Sequence, residues 1–375
     1  MAEAADELIG LSHRVHGHPE LCFEEEQAST WAAEVLTAHG FEVEAGVADL
    51  PTAFTATAGS GPLTIAICAE YDALPGVGHA CGHNVICAAG VGAGLALAPL
   101  ADELGITVKV MGTPAEEGGG GKILMLERGA FDGVHAAMMV HPAPMEMDSF
   151  PCLAVSHVDV RYTGKEAHAS AFPELGINAA DAITVAQVGV GLLRQHIRST
   201  DRIHGIVTHG GEAPNIVPAH TTAKWYIRSA TLAELAELEP KVHRCFEAGA
   251  LATGCSVEVE QMSPRYSEMR DDADMRALYR SNAEALGRSF PEVRGAAKIA
   301  GSTDMANVSL AIPTIHPMLG LGSFPVSNHQ PEFAAFCATE TADKAVLDGA
   351  TAMAWTCIDM AGDGPLRDRL VSGLR

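Results

Sequence analysis

The chain has 375 residues, too many for one ordinary core and enough for two domains. Hydrophobic residues make up 47% and charged residues 19%, the balance of a folded globular protein. Acidic residues outnumber basic ones 47 to 24, for a formal charge of -23, which argues against a nucleic-acid partner because phosphate-backbone binding needs clustered Lys and Arg.

In chain order, the opening MAEAADELIGLSHRV carries no basic stretch followed by an apolar one. No apolar run approaches the roughly 20 residues of a spanning helix. Both features predict a soluble, cytoplasmic protein without a membrane partner. The stretch ADELIGLSHRVHGHPELCFEEEQASTWAAEVLTAHG reads as a helix, an extended break at Pro19 and a second helix ending at Gly40. Strands follow at FEVEAGV, FTATAG, LTIAICAEYD, ITVKVMGT and HAAMMVH, alternating with helical segments. The last three are nearly continuous apolar runs, which predicts strands covered on both faces of an α/β sheet. Chemistry in such sheets sits in loops beyond the carboxyl ends of the strands. The polar residues at those ends are Glu70 and Asp72, then Glu116 and Glu117, then His141.

Around residue 150 the pattern changes to strand, helix, strand, strand, helix, strand, a βαββαβ order that resembles a ferredoxin-like unit. The predicted insert spans 153–262 and leaves 1–152 and 263–375 as one discontinuous main domain. Beyond Ser263 the chain returns to helices, the loop GSTDMANVS, the short segment TIHPMLG and a final helix from about Glu332 to Met360.

The strongest local signal is PAEEGGGGK, residues 114–122, directly after a buried strand. Neighbouring side chains on extended backbone point to opposite sides, so Glu116 and Glu117 can serve different neighbours, one a metal and the other a water. Four consecutive glycines imply a tight loop or a close backbone approach. A solvated acidic turn before a helix explains the stretch as well, because glutamates suit the helix dipole.

Nine cysteines at irregular spacings predict reduced thiols rather than a disulfide framework, which leaves a cysteine beside histidines as a ligand candidate. Cys81 and His83, in ACGHN, can converge from one loop, and the helix that follows directs its positive end there and favours a thiolate. Thiolate and imidazole suit zinc-class metals. A buried thiol and a capping histidine are the alternative. Asn84 is neutral and a poor ligand, and His79 is not counted as one. His141 precedes Pro142, and His329 lies in SNHQPEF just before the last helix. Singly each reads as a hydrogen-bonded structural histidine, but with Cys81, His83 and Glu117 they make five donors, sufficient for two metals.

The ordered set HGHPELCFEE, AEYDALPGVGHACGHN, TPAEEGGGG, MVHP, GKEAHAS, PNIVP, GSTDM and NHQPEF resembles the M20 metallopeptidase family over essentially the whole chain. More narrowly it resembles the amidohydrolase branch, subfamily D, which includes aminoacylases, hippurate and auxin-conjugate hydrolases, and aminobenzoyl-glutamate hydrolases. The form HACGHN, with asparagine where many members have aspartate, is similar to the subgroup of the aminobenzoyl-glutamate hydrolases and the aminoacylase-1-like dipeptidases.

The resemblance implies a zinc-peptidase-like catalytic domain, a central mixed sheet flanked by helices, with the insert as a lid and dimerisation domain. It implies two divalent metal ions per subunit (zinc, manganese or cobalt), held by Cys81, His83, Glu117, His141 and His329, with the Cys81 thiolate a candidate bridge. Glu116 becomes the general base that takes a proton from water. Glu70 and Asp72 fall where the branch has acidic residues that orient a ligating histidine, although Glu70 replaces the more frequent aspartate.

In a homodimer, His168 of GKEAHAS is implied to reach a neighbouring active site and stabilise the oxyanion. Asn215 and Arg228 match positions that contact the substrate, and the planar fork of arginine suits a carboxylate. A surface histidine, a turn-forming asparagine and a strand-edge arginine account for these three as well. Gly301, Ser302 and Thr303 are expected to line the pocket, though an ordinary turn also explains them. The implied activity is metal-dependent cleavage of the amide bond in N-acyl amino acids or small dipeptide-like conjugates. A dipeptidase or deacetylase with the same site, or a catalytically silent binding relative, are the alternatives. The intact Glu116, Glu117 and five-donor set argue against the last.

Overall fold

The computed structural model describes residues 2–291 and 300–373. The chain forms two compact units, Met1–Pro151 with Met269–Arg375, and Cys152–Glu268.

The first unit begins with α1 (Ala5–Gly17) and α2 (Glu26–Ala38), which bury Leu8, Leu11 and Val15, then Ala28, Ala32, Val35 and Leu36. These residues recur every three or four positions, so each helix presents one apolar stripe to the core. Between the helices the Glu20 carboxylate accepts hydrogen bonds from the N–H groups of Gln27 (3.0 Å) and Ala28 (2.9 Å), satisfying the open start of α2. The chain then runs through β1 (Glu42–Ala45), β2 (Phe54–Ala58), β3 (Leu63–Glu70), α3 (His83–Leu97), α4 (Ala101–Leu104), β4 (Ile106–Thr113), α5 (Gly121–Glu127), β5 (Ala136–Met138) and β6 (His141–Ala143).

Helix α3 is buried on nearly every side. Contrary to the sequence expectation, the segment His83–Leu104 is long and apolar enough to cross a membrane by composition. In the fold that apolarity is used inside the unit, where α3 packs on β3, β4, α1 and α2. Gly94 brings helix and sheet together, since a Cβ there would stand 2.4 Å from Val110 Cγ2.

The second unit contains β7 (Ala154–Thr163), α6 (Ala179–Leu193), β8 (Arg202–His209), β9 (His220–Ser229), α7 (Leu232–Thr253) and β10 (Ser256–Gln261). Its strands form an antiparallel sheet in the order β10-β7-β9-β8. Along β9, Ala223, Trp225 and Ile227 enter the core formed with α6 and α7, while Tyr226 and Arg228 take the opposite face. Side chains of Asn178 and Thr231 cap α6 and α7.

The first unit resumes with α8 (Ala273–Ala285), α9 (Met305–Ala311), β11 (Thr314–Ile315), β12 (Met318–Gly320), α10 (Pro331–Phe336), α11 (Glu340–Gly362) and α12 (Gly364–Val371). Its six-stranded sheet has the order β1-β2-β4-β3-β5-β11 and is mixed, with β3 parallel to β4 and β5 and β2 antiparallel to β4. Two expectations change here. HAAMMVH is not one strand, because β5 pairs with β11 and β6 pairs with β12 in a separate two-stranded ladder. Pro317, between β11 and β12, has no N–H to donate and interrupts the ladder. The single final helix is instead α10 and α11, separated at 337–339.

The start of α5 depends on Gly121, where a Cβ would lie 1.8 Å from the carbonyl oxygen of Pro114, a backbone atom that cannot swing aside. Gly10 in α1 has nothing within 4 Å of such an atom. Gly121→Ala is expected to lower stability by about 1–3 kcal/mol, while Gly10→Ala raises it by up to about 1 kcal/mol. Urea unfolding midpoints of the two variants check this, and equal midpoints would refute it.

Candidate metal centre

Strands β3 and β4 run parallel with Glu70 paired to Thr113, so the loops after them leave the same end of the sheet. After β4, Ala115 takes a left-handed φ of 59° and its N–H donates to Glu25 Oε1 at 2.9 Å. The N–H groups of Gly119 and Gly120 return to the Ala115 carbonyl at 3.0 and 2.8 Å. Glu116 and Glu117 therefore sit in a tight turn, not on the extended backbone expected from sequence. The Glu117 N–H donates to Asp72 Oδ2 at 3.0 Å. Before α3, Gly82 is left-handed with φ 81°, and a Cβ there would meet Pro142 at 2.9 Å, so glycine lets the Cys81 turn close against β6. His329 is itself left-handed, and its N–H donates to the Ala80 carbonyl at 2.8 Å.

These elements bring five predicted donors into one cluster of the first unit. Cys81 Sγ lies 3.5 Å from His141 Nε2 and 3.6 Å from His329 Nε2. Glu117 Oε2 lies 3.8 Å from His329 Nε2, and Glu117 Oε1 lies 3.9 Å from His83 Nε2. His83 Nδ1 donates to Asp72 Oδ1 at 3.0 Å, and His141 Nδ1 donates to the Pro142 carbonyl at 2.8 Å. Both acceptors hold the proton on Nδ1 and turn the Nε2 lone pair inward, the arrangement of a metal-ligating histidine.

The donors fall into three groups whose atoms lie within 4.8 Å of one another: Cys81, His83 and His141; Cys81, Glu117 and His329; and Glu70, His83 and Glu116. His83 Nε2, Glu117 Oε1 and Glu70 Oε2 are buried with no hydrogen-bond partner among the described residues. Buried lone pairs facing one another without a donor are costly. A thiol, imidazoles and carboxylates so placed fit divalent cations of the zinc class.

The electrostatics agree. Burial alone would raise the Asp72 carboxyl, but His83, the Glu117 N–H and Lys122 outweigh it and hold it at about 2. Burial opposes protonation of His83, yet Asp72 and Glu70 leave its pKa raised, and the same surroundings favour a metal cation in the proton's place. Burial and the Glu117 charge push the Cys81 thiol up, overriding the expected help from the start of α3. Burial, then Glu70, Glu117 and Asp304, raises Glu116. Burial and His83 lower His141 to about 4, leaving its imidazole neutral.

The expectation for Glu70 and Asp72 divides. Asp72 orients His83 through Nδ1, whereas Glu70 Oε2 stands 3.5 Å from Nε2, on the opposite edge of the ring. Sequence reasoning missed four further residues, Lys122, Asp304, Glu25 and His316. Lys122 is fully buried, pairs with Glu70 Oε1 and lies 2.9 Å from Asp304 Oδ1, while its N–H donates to Asp304 Oδ2 at 2.8 Å. Glu25 is buried and accepts from Phe23 N–H (3.0 Å), Ala115 N–H (2.9 Å) and the Thr52 hydroxyl (2.9 Å). Burial and then the Asp72 charge raise its carboxyl to about 7. His316 packs edge-on to His141 with ring centroids 5.5 Å apart. The traces in sequence were the lysine that ends GGGGK, the aspartate of GSTDM, and the middle glutamate of FEEE.

The other predicted residues belong to none of these donor groups. Within the first unit, the Gly301 N–H donates to Pro151 O at 3.2 Å, the Ser302 hydroxyl donates to Gly301 O at 2.8 Å, and Thr303 Oγ1 accepts from the Met305 N–H at 3.2 Å. Within the second unit, exposed His168 accepts at Nδ1 from the Ser170 and Ala171 N–H groups at 3.3 and 3.2 Å, which leaves its proton on Nε2. The Ala169 N–H donates to the Asn215 carbonyl at 3.0 Å, placing GKEAHAS beside PNIVP. Arg228 Nε lies 3.3 Å from His204 Nε2, and burial pushes the guanidinium below its usual range.

Asp72→Asn removes the charge that orients His83 and is expected to weaken zinc affinity about 10–100-fold. Competition with a chromogenic chelator measures this, and an affinity unchanged in a folded variant would remove Asp72 from the support of the centre.

Residues 66–352 match peptidase family M20/M25/M40. The Xaa-Arg dipeptidase of Mus musculus is 36% identical over 100% of this chain and 89% of its own length. A p-aminobenzoyl-glutamate hydrolase polypeptide of Escherichia coli (strain K12) is 34% identical over 66% of this chain and 56% of its own length. The crystal structure of a dinuclear metal binding peptidase of family M20 from Bacillus subtilis shares the fold, with a TM-score of 0.69 and 21% identity over 96% of this chain and 99% of that one. The family match and the whole-length relative agree with the buried donor cluster: this chain belongs to peptidase family M20/M25/M40 and is a hydrolase of amide or peptide bonds.

Proposed function

We propose that the protein is a dinuclear metal-dependent amidohydrolase that cleaves N-acyl amino acids or small dipeptide-like conjugates. The carrying observation is that Cys81 belongs to two donor groups at once, one with His83 and His141 and the other with Glu117 and His329. Cys81, His83 and His141 would hold one cation, and Cys81, Glu117 and His329 the other. Two divalent cations, zinc, manganese or cobalt, would polarise the scissile carbonyl there and lower the pKa of water towards about 7.

Glu116 is the general base. It shares the turn with Glu117, and its burial among other carboxylates raises its affinity for a proton, which suits a group that takes a proton from water and passes it to the leaving amine. His168 carries its proton on Nε2 and supplies a donor to the oxyanion. Arg228 and Asn215 hold the substrate carboxylate, with Gly301, Ser302 and Thr303 lining the pocket.

In this reading residues 1–152 and 263–375 are the catalytic domain, and 153–262 form the lid through which two subunits pair. His168 then acts on the partner's site. All nine cysteines are free, as suits the reducing cytoplasm.

A second reading, a dipeptidase, is favoured by the whole-length likeness to an Xaa-Arg dipeptidase. The charge of -23 would draw cationic dipeptides towards the protein. A panel of N-acyl amino acids and dipeptides, with arginine among the carboxyl-terminal residues, separates the two readings by which member releases free amino acid. Activity that survives full chelation would reject both.

Glu116→Gln is expected to lower kcat by about 10²–10⁴-fold while elemental analysis finds the metal content unchanged. Normal turnover in that variant would sink the assignment. Mixing His168→Ala with Glu116→Gln subunits is expected to recover activity, because each heterodimer assembles one complete site. Purified heterodimers without activity would place His168 outside the partner's site.

A further inference from the structure

Glu70 is the one carboxylate of the cluster to which no catalytic or ligating role has been given. It ends β3, is fully buried, and its two oxygens face different surroundings. Oε1 is paired with the Lys122 ammonium, which is itself buried and held by Asp304 Oδ1 at 2.9 Å. Oε2 has no hydrogen-bond partner among the described residues and stands 3.5 Å from His83 Nε2, another buried atom without one.

Geometry excludes the role expected for Glu70, that of orienting a histidine. Asp72 already occupies His83 Nδ1, and Glu70 approaches the Nε2 edge that faces the donors. Charge also argues for a cation. Lys122 offsets one of the two carboxylates it touches, so Glu70, Lys122 and Asp304 together carry one surplus negative charge in a region without solvent. An uncompensated buried charge is strongly unfavourable, and a divalent ion on the Nε2 edge of His83 would compensate it.

We infer that Glu70 is a sixth metal ligand, its Oε2 binding the cation held by His83 while the Lys122–Asp304 pair fixes Oε1 and so aims the carboxylate. This rests on the dinuclear reading above. Lys122 and Asp304 are positioning residues, acting only through Glu70. The lysine serves two ends, since it lowers the repulsion among the carboxylates and leaves a single oxygen free to bind.

Two measurements test this. In crystals of the wild-type protein loaded with zinc, a Glu70 oxygen is expected about 2.0–2.2 Å from the ion bound by His83; a separation beyond about 3 Å, outside any zinc–carboxylate bond, overturns the inference. In chelator competition, Glu70→Gln is expected to weaken one of the two zinc sites at least tenfold and leave the other within a factor of two. The metal-free variant should melt like the metal-free wild type, because Lys122 keeps Asp304, so only the zinc-induced rise in melting temperature is reduced. Two sites of wild-type affinity in Glu70→Gln overturn the inference. His83→Ala tests the underlying centre separately: if it too keeps both sites, the dinuclear reading fails, whereas loss in His83→Ala with none in Glu70→Gln removes Glu70 alone.

Discussion

The centre depends on how Asp72 divides its two oxygens. One takes the Nδ1 proton of His83 at the start of α3, and the other takes the N–H of Glu117 in the turn after β4. A single buried carboxylate thus ties together three segments: the end of β3, the first turn of α3 and the turn after β4. Burying it is unfavourable alone, and the charge-assisted hydrogen bonds it accepts offset that cost. It also decides chemistry, because fixing the proton on Nδ1 turns the Nε2 of His83 towards the other donors, where a metal would be held. The parallel register of β3 against β4 makes this possible by delivering both loops to one edge of the sheet.

Around that tie the first unit gathers more negative charge than it neutralises. Glu70, Asp72, Glu116 and Asp304 are buried near one another, and Lys122 is the ammonium group among them. The result is a raised proton affinity at Glu116 and at His83 for opposite reasons. In Glu116 burial and like charges disfavour ionisation; in His83 the same carboxylates stabilise the cation against burial. A site that strengthens the hold of both an acid and a base on their protons is electronegative overall. Cations suit it better than hydrophobic or anionic groups would.

Much of this was legible in the sequence because strand ends carry the candidate donors. Long apolar runs ending in Glu70, Glu116 and Glu117 marked β3 and β4, and the structure gathers Cys81, His83, Glu117, His141 and His329 into adjoining groups. What could not be read was direction and depth. Strand periodicity places Glu70 and Asp72 on the same side but does not say which edge of an imidazole each will meet. In FEEE, Glu24 and Glu26 are exposed and Glu25 is buried, a distinction made by packing against Thr52 and Ala115, far away in the chain. The break between β5 and β6 was hidden for a similar reason, because the proline that causes it lies on the partner segment. The order β10-β7-β9-β8 in the second unit likewise reflects which strands pair after the helices cross.

The amino-terminal motif gains a purpose from the same geometry. Ala115 stands in a left-handed conformation that disfavours any side chain, by about 1–2 kcal/mol. Its N–H is received by Glu25, and Glu25 is itself held by the Phe23 N–H and the Thr52 hydroxyl. Nearby, the Ala73 N–H donates to the Glu20 carbonyl at 2.7 Å, fastening the segment between α1 and α2 to the chain just beyond Asp72. The turn that carries Glu116 and Glu117 is therefore braced from outside the sheet that delivers it. Strained backbone persists only where its surroundings over-determine it, and here those surroundings are supplied by residues 20–25. The donor cluster is consequently coupled to the segment between the amino-terminal helices: without the Glu25 acceptor, left-handed Ala115 loses its brace, and with it the turn that places Glu116 and Glu117.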